Sequence, residues 1–128
     1  LVSHSHTIMS KRIIKFLENG SGTLILVGHD GDLDALATMF GLSWHTAPFP
    51  PNATTPGSAI RFDLLVDEND DMFQEEEVEA SIYYQIFDGT ASVHTSPARF
   101  TSSSSSVETL KTIKRDLSPR FDSTCSEV

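Results

Sequence analysis

Thr23-Leu24-Ile25-Leu26-Val27-Gly28-His29-Asp30-Gly31-Asp32-Leu33 is the stretch on which the reading of this 128-residue chain turns. Residues 23–27 form a continuous apolar run, bounded by Ser21-Gly22 before it and Gly28 after it. An uninterrupted apolar run of that length predicts a buried strand covered on both faces, the pattern of a parallel sheet. His29 and Asp30 follow at the carboxyl edge of the expected strand, and a helical pattern starts directly after them. In α/β sheets ligands bind beyond the carboxyl ends of strands, and a helix N-terminus there favours anions. An imidazole and a carboxylic acid in that position suit phosphate chemistry. The first can donate to a phosphate oxygen, and the second can protonate a leaving alkoxide. Gly28 and Gly31 flank the pair without Cβ atoms and permit close approach of the backbone to an anion. The structural alternative is that Asp30 caps the following helix while His29 simply ends the strand.

Working outward, residues 7–18 place Met9, Ile13, Phe16 and Leu17 at helical spacing before the stop signal Asn19-Gly20. From 32 to 42, Leu33, Leu36, Ala37 and Phe40 repeat at i, i+3, i+4 and i+7, and Gly41 supplies a C-cap. The order helix, strand, His-Asp, helix predicts part of an α/β layer fold. Residues 43–58 carry Pro48, Pro50, Pro51, Pro56 and Gly57 and read as a long loop. Ile60, Phe62, Leu64 and Val66 then alternate with Arg61, Asp63 and Leu65, a half-buried strand over 59–66. After the acidic stretch 67–79, residues 81–87 form a second β-rich run, and the two predict an antiparallel hairpin with a solvated end containing Glu75-Glu76-Glu77. The serine-rich stretch 101–106 reads as a flexible linker. Ser105 and Glu108 then offer a capping box for a helix with Val107, Leu110, Ile113 and Leu117 on one face, ended by Pro119.

Composition bounds the partners. Nine basic residues against eighteen acidic ones give a formal charge of −9, which repels nucleic acid and anionic membranes at long range. Arg12, Arg61, Arg99, Arg115 and Arg120 are scattered along the sequence. No run is long enough for a membrane span and none has the form of a signal peptide. Asn19-Gly20-Ser21 and Asn52-Ala53-Thr54 match the glycosylation acceptor pattern, usable only in a secretory compartment. The lone Cys125 is either a free thiol or half of a bridge made elsewhere.

The segment from Leu24 through His29-Asp30, Leu33-x-x-Leu36 and Gly41-Leu42-x-Trp44, on to Thr55-Pro56-Gly57-Ser58-Ala59-Ile60-Arg61-Phe62-Asp63, resembles the C-terminal part of the histidine acid phosphatases. That family includes prostatic and lysosomal acid phosphatases, phytases and multiple inositol polyphosphate phosphatases. The resemblance covers about residues 10–90. It implies a three-layer α/β fold, His29 as a phosphate ligand and Asp30 as the proton donor to the leaving group. It further implies phosphomonoester substrates, no metal or other cofactor, and a secretory, extracellular or lysosomal/vacuolar location. Family members often carry Thr where Gly31 stands, so a hydroxyl is lost there. Cys125 looks like a family cysteine that pairs just before the last helix, where this chain has serines at 102–106. The family's nucleophile is the histidine of an Arg-His-Gly-x-Arg motif, and this sequence has no Arg-His pair. The 128 residues, opening on Leu1, are therefore expected to be an incomplete domain: 1–100 its C-terminal part, 101–106 a linker, 107–128 a terminal helix and tail. The other half is expected in the same full-length chain or in a partner, and the isolated chain is expected to be inactive. The competing expectation is a non-catalytic binding module or pseudoenzyme.

Other constellations are weaker. His4-Ser5-His6 lacks a third metal ligand at a credible spacing. Asp30, Asp32 and Asp34 alternate like a calcium loop, but Ala35 and Gly41 occupy the places that need Gly and Glu. Metal-dependent His-Asp phosphohydrolases use all-helical sites with further ligands, and no Gly-x-Ser-x-Gly elbow is present. His45 and His94 are expected on solvent-facing loops, and Trp44 is expected to anchor the long loop.

Overall fold

A computed structural model describes residues 4–65, 78–87, 89–90 and 92–121. The expectations for Val66, for the Glu75-Glu76-Glu77 edge and for Cys125 lie outside the described residues.

The apolar stripe of the first helix forms α1 (His4–Asn19), which buries Ile13, Ile14 and Leu17 and ends at Gly20 with φ 78°. Burial of each such side chain contributes about 1.5–3 kcal/mol. The second stripe forms α2 (Asp30–Phe40), with Leu36, Met39 and Phe40 inside. Gly41 ends it at φ 70°, a left-handed conformation that glycine adopts without Cβ strain, and its N–H donates to the Ala37 carbonyl. Arg120 adds a second cap, donating from its guanidinium to the Met39 carbonyl at 2.8 Å.

β1 (Leu42–Ser43) pairs antiparallel with β5 (Arg99–Phe100). β2 (Ser58–Leu65) and β3 (Glu79–Phe87) form the expected antiparallel hairpin, in register from Ser58 opposite Ile86 to Leu65 opposite Glu79. β3 is the central strand of its sheet. β2 fills one edge, while β4 (Val93–Pro97) and β6 (Val107–Thr109) lie end to end along the other. Ile82, Tyr84 and Ile86 on β3 are almost fully buried, and α3 (Leu110–Leu117) buries Leu110, Ile113 and Leu117. Phe40 meets Phe62 with ring centroids 5.0 Å apart, tying α2 to the sheet.

Four expectations are corrected. Residues 23–29 are irregular, not a buried parallel strand, with Ile25 79% and Val27 94% exposed. All ladders among the described residues are antiparallel, one sheet built around β3 and a second made of β1 and β5, and neither reaches this run. A run that is apolar on both faces needs a strand on each edge and a layer on each side, and among the described residues no strand pairs with it. The last helix starts at Leu110, with Thr109 rather than Ser105 as its N-cap, because 107–109 pair with β3 first. The serine-rich stretch is a hydrogen-bonded turn in which Ser103 and Ser104 donate to the Phe100 carbonyl. His94 sits half-buried on β4 opposite Ile86, whereas His45 is exposed as expected.

Trp44 does anchor the long loop. It is 5% exposed, stacks on Tyr84 at 4.5 Å between centroids, and donates from its indole N–H to the Ala53 carbonyl at 3.0 Å. The architecture is thus a mixed helix and antiparallel-sheet arrangement. Among the described residues no helix is long and apolar enough to cross a membrane.

Candidate active site

The chain enters α2 with His29 extended, at φ −128° and ψ −179°, and turns into helix at Asp30. The His29 carbonyl accepts the N–H of Asp32 at 2.9 Å and of Leu33 at 3.3 Å, closing the first turn. The helix start leaves orphan backbone donors, and the reciprocal bond comes from position N3: the Asp32 carboxylate accepts the His29 backbone N–H at 3.0 Å. The capping role is therefore carried by Asp32 and not by Asp30, whose Oδ1 accepts the adjacent Gly31 N–H at 3.0 Å. Asp30 and Asp32 both complement the positive end of the helix dipole.

His29 and Asp30 are thus adjacent at the helix N-terminus, and both are open to solvent, the His29 side chain 82% exposed. A neighbouring set was missed in the sequence. Asp32 Oδ2 lies 3.5 Å from His29 Nδ1, and its Oδ1 lies 2.9 Å from His6 Nε2 on α1. The His29 backbone N–H, and after it the His6 imidazole, holds the Asp32 carboxyl below the usual carboxylate range. The His29-x-x-Asp32 spacing is a capping-box signal that could have revealed one half of the set. His6 is 26 positions away and had no signal.

Gly28 leaves room for the Asp32 side chain. A Cβ at that position would collide with the Asp32 carboxylate. A Cβ at Gly31 would make only ordinary contact with the His29 ring, 3.7 Å from Nδ1.

The remaining candidates lie apart. Asn19 ends α1 and is exposed; Asn52 is also exposed, at φ 60°, with its side-chain oxygen accepting the Trp44 backbone N–H at 2.9 Å. Of the scattered arginines only Arg12 lines the groove between α1 and α3, where Glu18 pairs with Lys114 at 3.4 Å. Lys11, Arg12, Lys15 and Lys114 border this groove of about 540 Å³, floored by Leu117 and Phe121, and neither His29 nor Asp30 lines it. Among the described residues no group of three or more His, Cys, Asp or Glu side chains could hold a metal ion. In comparisons with known proteins, no family model, no curated protein and no solved structure matches this chain.

Proposed function

We infer that this chain is the C-terminal portion of a histidine-acid-phosphatase-like phosphomonoesterase, with the three-layer α/β fold of that family completed by residues outside these 128. The observation that carries the reading is the juxtaposition of an exposed imidazole, His29, and an exposed carboxyl, Asp30, at the N-cap and first residue of α2. The positive end of the helix dipole favours a phosphate there. The exposed apolar run 23–27 supports the incomplete-domain part of the reading, since Ile25 and Val27 face solvent on a segment that leads straight into the site.

In the complete enzyme an upstream histidine attacks phosphorus in line, and the phosphorus–oxygen bond to the leaving alcohol breaks. Asp30 gives its proton to that departing oxygen, while His29 donates to a phosphate oxygen. Water then hydrolyses the phosphohistidine, with Asp30, now a carboxylate, taking a proton from it. Asp30 must be protonated for the first step, which suits an acidic working pH. The route uses no metal or other cofactor. The same reading carries a secretory or lysosomal/vacuolar location and glycosylation at Asn19 and Asn52.

A second reading, a binding module that keeps the fold without turnover, is favoured by the lack of any Arg-His pair in the chain. One experiment separates them. The full-length product is assayed with an aryl phosphate at acid pH in the presence of a chelator, beside the isolated 128 residues. Turnover by the full-length product alone supports the phosphatase. Turnover by the isolated chain contradicts the account of the missing nucleophile, and turnover by neither favours the binding module.

A further inference from the structure

We propose that Asp32, held in turn by His6, is the positioning residue for the His29 imidazole, a His6–Asp32–His29 relay that fixes which ring nitrogen of His29 faces outward. The proposal rests on the reading of His29 as a phosphate ligand and deepens it.

Asp32 addresses His29 twice with one oxygen: Oδ2 accepts the backbone N–H at 3.0 Å and stands 3.5 Å from Nδ1 of the ring. The ring therefore presents its Nδ1 edge to a carboxylate, and Nε2, on the opposite edge, is the nitrogen left for a ligand. Which nitrogen carries the proton is set by the partner of the other nitrogen, and a carboxylate holds that proton on the side facing it. At 3.5 Å the ring contact is an ion-pair distance and not a hydrogen bond, so the carboxylate acts on the imidazole by its charge. Without a further contact the Asp32 carboxylate could turn away. His6 prevents this from another helix, with its Nε2 at 2.9 Å from Oδ1. His6 and Asp32 are both half-buried, whereas the ring they orient is 82% exposed. Gly28 completes the device, because any side chain there would occupy the place of the carboxylate.

The arrangement makes the two imidazoles opposites. His6 faces Asp32 with Nε2 and His29 with Nδ1, so the neutral rings are expected to carry their protons on Nε2 and Nδ1 respectively. The test is long-range proton–nitrogen NMR of the imidazole rings in this chain, without phosphate, above the imidazole titration range. Opposite tautomers in His6 and His29 support the relay; the Nε2–H form in both overturns it, with no variant required. Asp32→Asn keeps an oxygen for the His29 N–H while removing the carboxylate, and loss of the Nδ1–H preference at His29 is expected. His6→Ala should move the His29 ring signals through Asp32, and unchanged signals overturn the coupling. In the full-length product, Asp32→Asn should lower kcat/KM on the order of tenfold, as loss of an orienting partner does, with the leaving-group dependence unchanged. An unaltered kcat/KM overturns the positioning role. The tautomers are read without turnover, so an inactive full-length product would count against the phosphatase reading alone, and a wrong tautomer against the relay alone.

Discussion

The Asp32 carboxylate occupies the space that a Cβ on Gly28 would need. Gly28 is not among the residues with positive φ, so its role is room and not backbone conformation. Gly28→Ala should push the carboxylate off the His29 N–H and leave that donor to water. The measurable result is faster amide hydrogen exchange at His29 with α2 otherwise intact. Gly31→Ala is the control: its Cβ makes ordinary contacts, and a gain of about 0.4–1 kcal/mol in unfolding free energy is expected from the lower entropy of the unfolded chain.

The depressed Asp32 carboxyl has a pH signature. Its folded-state value lies below its unfolded one, chiefly because the His29 backbone N–H bonds the ionised form and also because His6 does. Its stabilisation is therefore fully present above the ordinary carboxylate range and is lost as pH falls through the lowered folded-state value. Thermal unfolding of wild type and Asp32→Ala should differ at neutral pH and converge in strong acid. A difference that stays constant across that range would contradict the assignment.

Tyr84 supports the loop that Trp44 anchors. Its hydroxyl accepts the Thr55 backbone N–H at 3.1 Å, and its ring stacks on Trp44. Tyr84→Phe keeps the stack and strands the Thr55 donor, at an expected cost of about 1–2 kcal/mol. Urea unfolding followed by the fluorescence of the single tryptophan measures this directly.

Residues 23–27 offer a test of the corrected fold. Ile25 is 79% exposed, so Ile25→Lys should change the unfolding free energy of this chain by no more than about 0.5 kcal/mol. A buried central strand would lose several times as much.

The elements legible in the sequence are those whose burial partners lie within the chain. The stripes of α1 and α2 meet each other and the sheet, and Ile60, Phe62 and Leu64 alternate against β3, so periodicity and structure agree. The left-handed end at Gly41 was legible for the same local reason, a helix stop that glycine suits. The run 23–27 was not, because an apolar pattern reports what a segment would bury and not whether its neighbours are present. Thr109 displaced Ser105 as the cap because pairing of 107–109 with β3 outweighs a local capping pattern. At the site, the pair His29-Asp30 was legible as adjacent residues. The role of Asp32 required the turn at His29 to be seen, and that of His6 required the packing of α1 on α2.

The central claim is that Asp30 is the proton donor to a leaving alcohol, and its most direct measurement is the leaving-group dependence of Asp30→Asn in the full-length product. Single-turnover phosphorylation with a series of aryl and alkyl phosphates should slow most for the poorest leaving groups, which depend most on protonation, and least for the best. Equal slowing across the series would contradict the assignment of Asp30 as general acid.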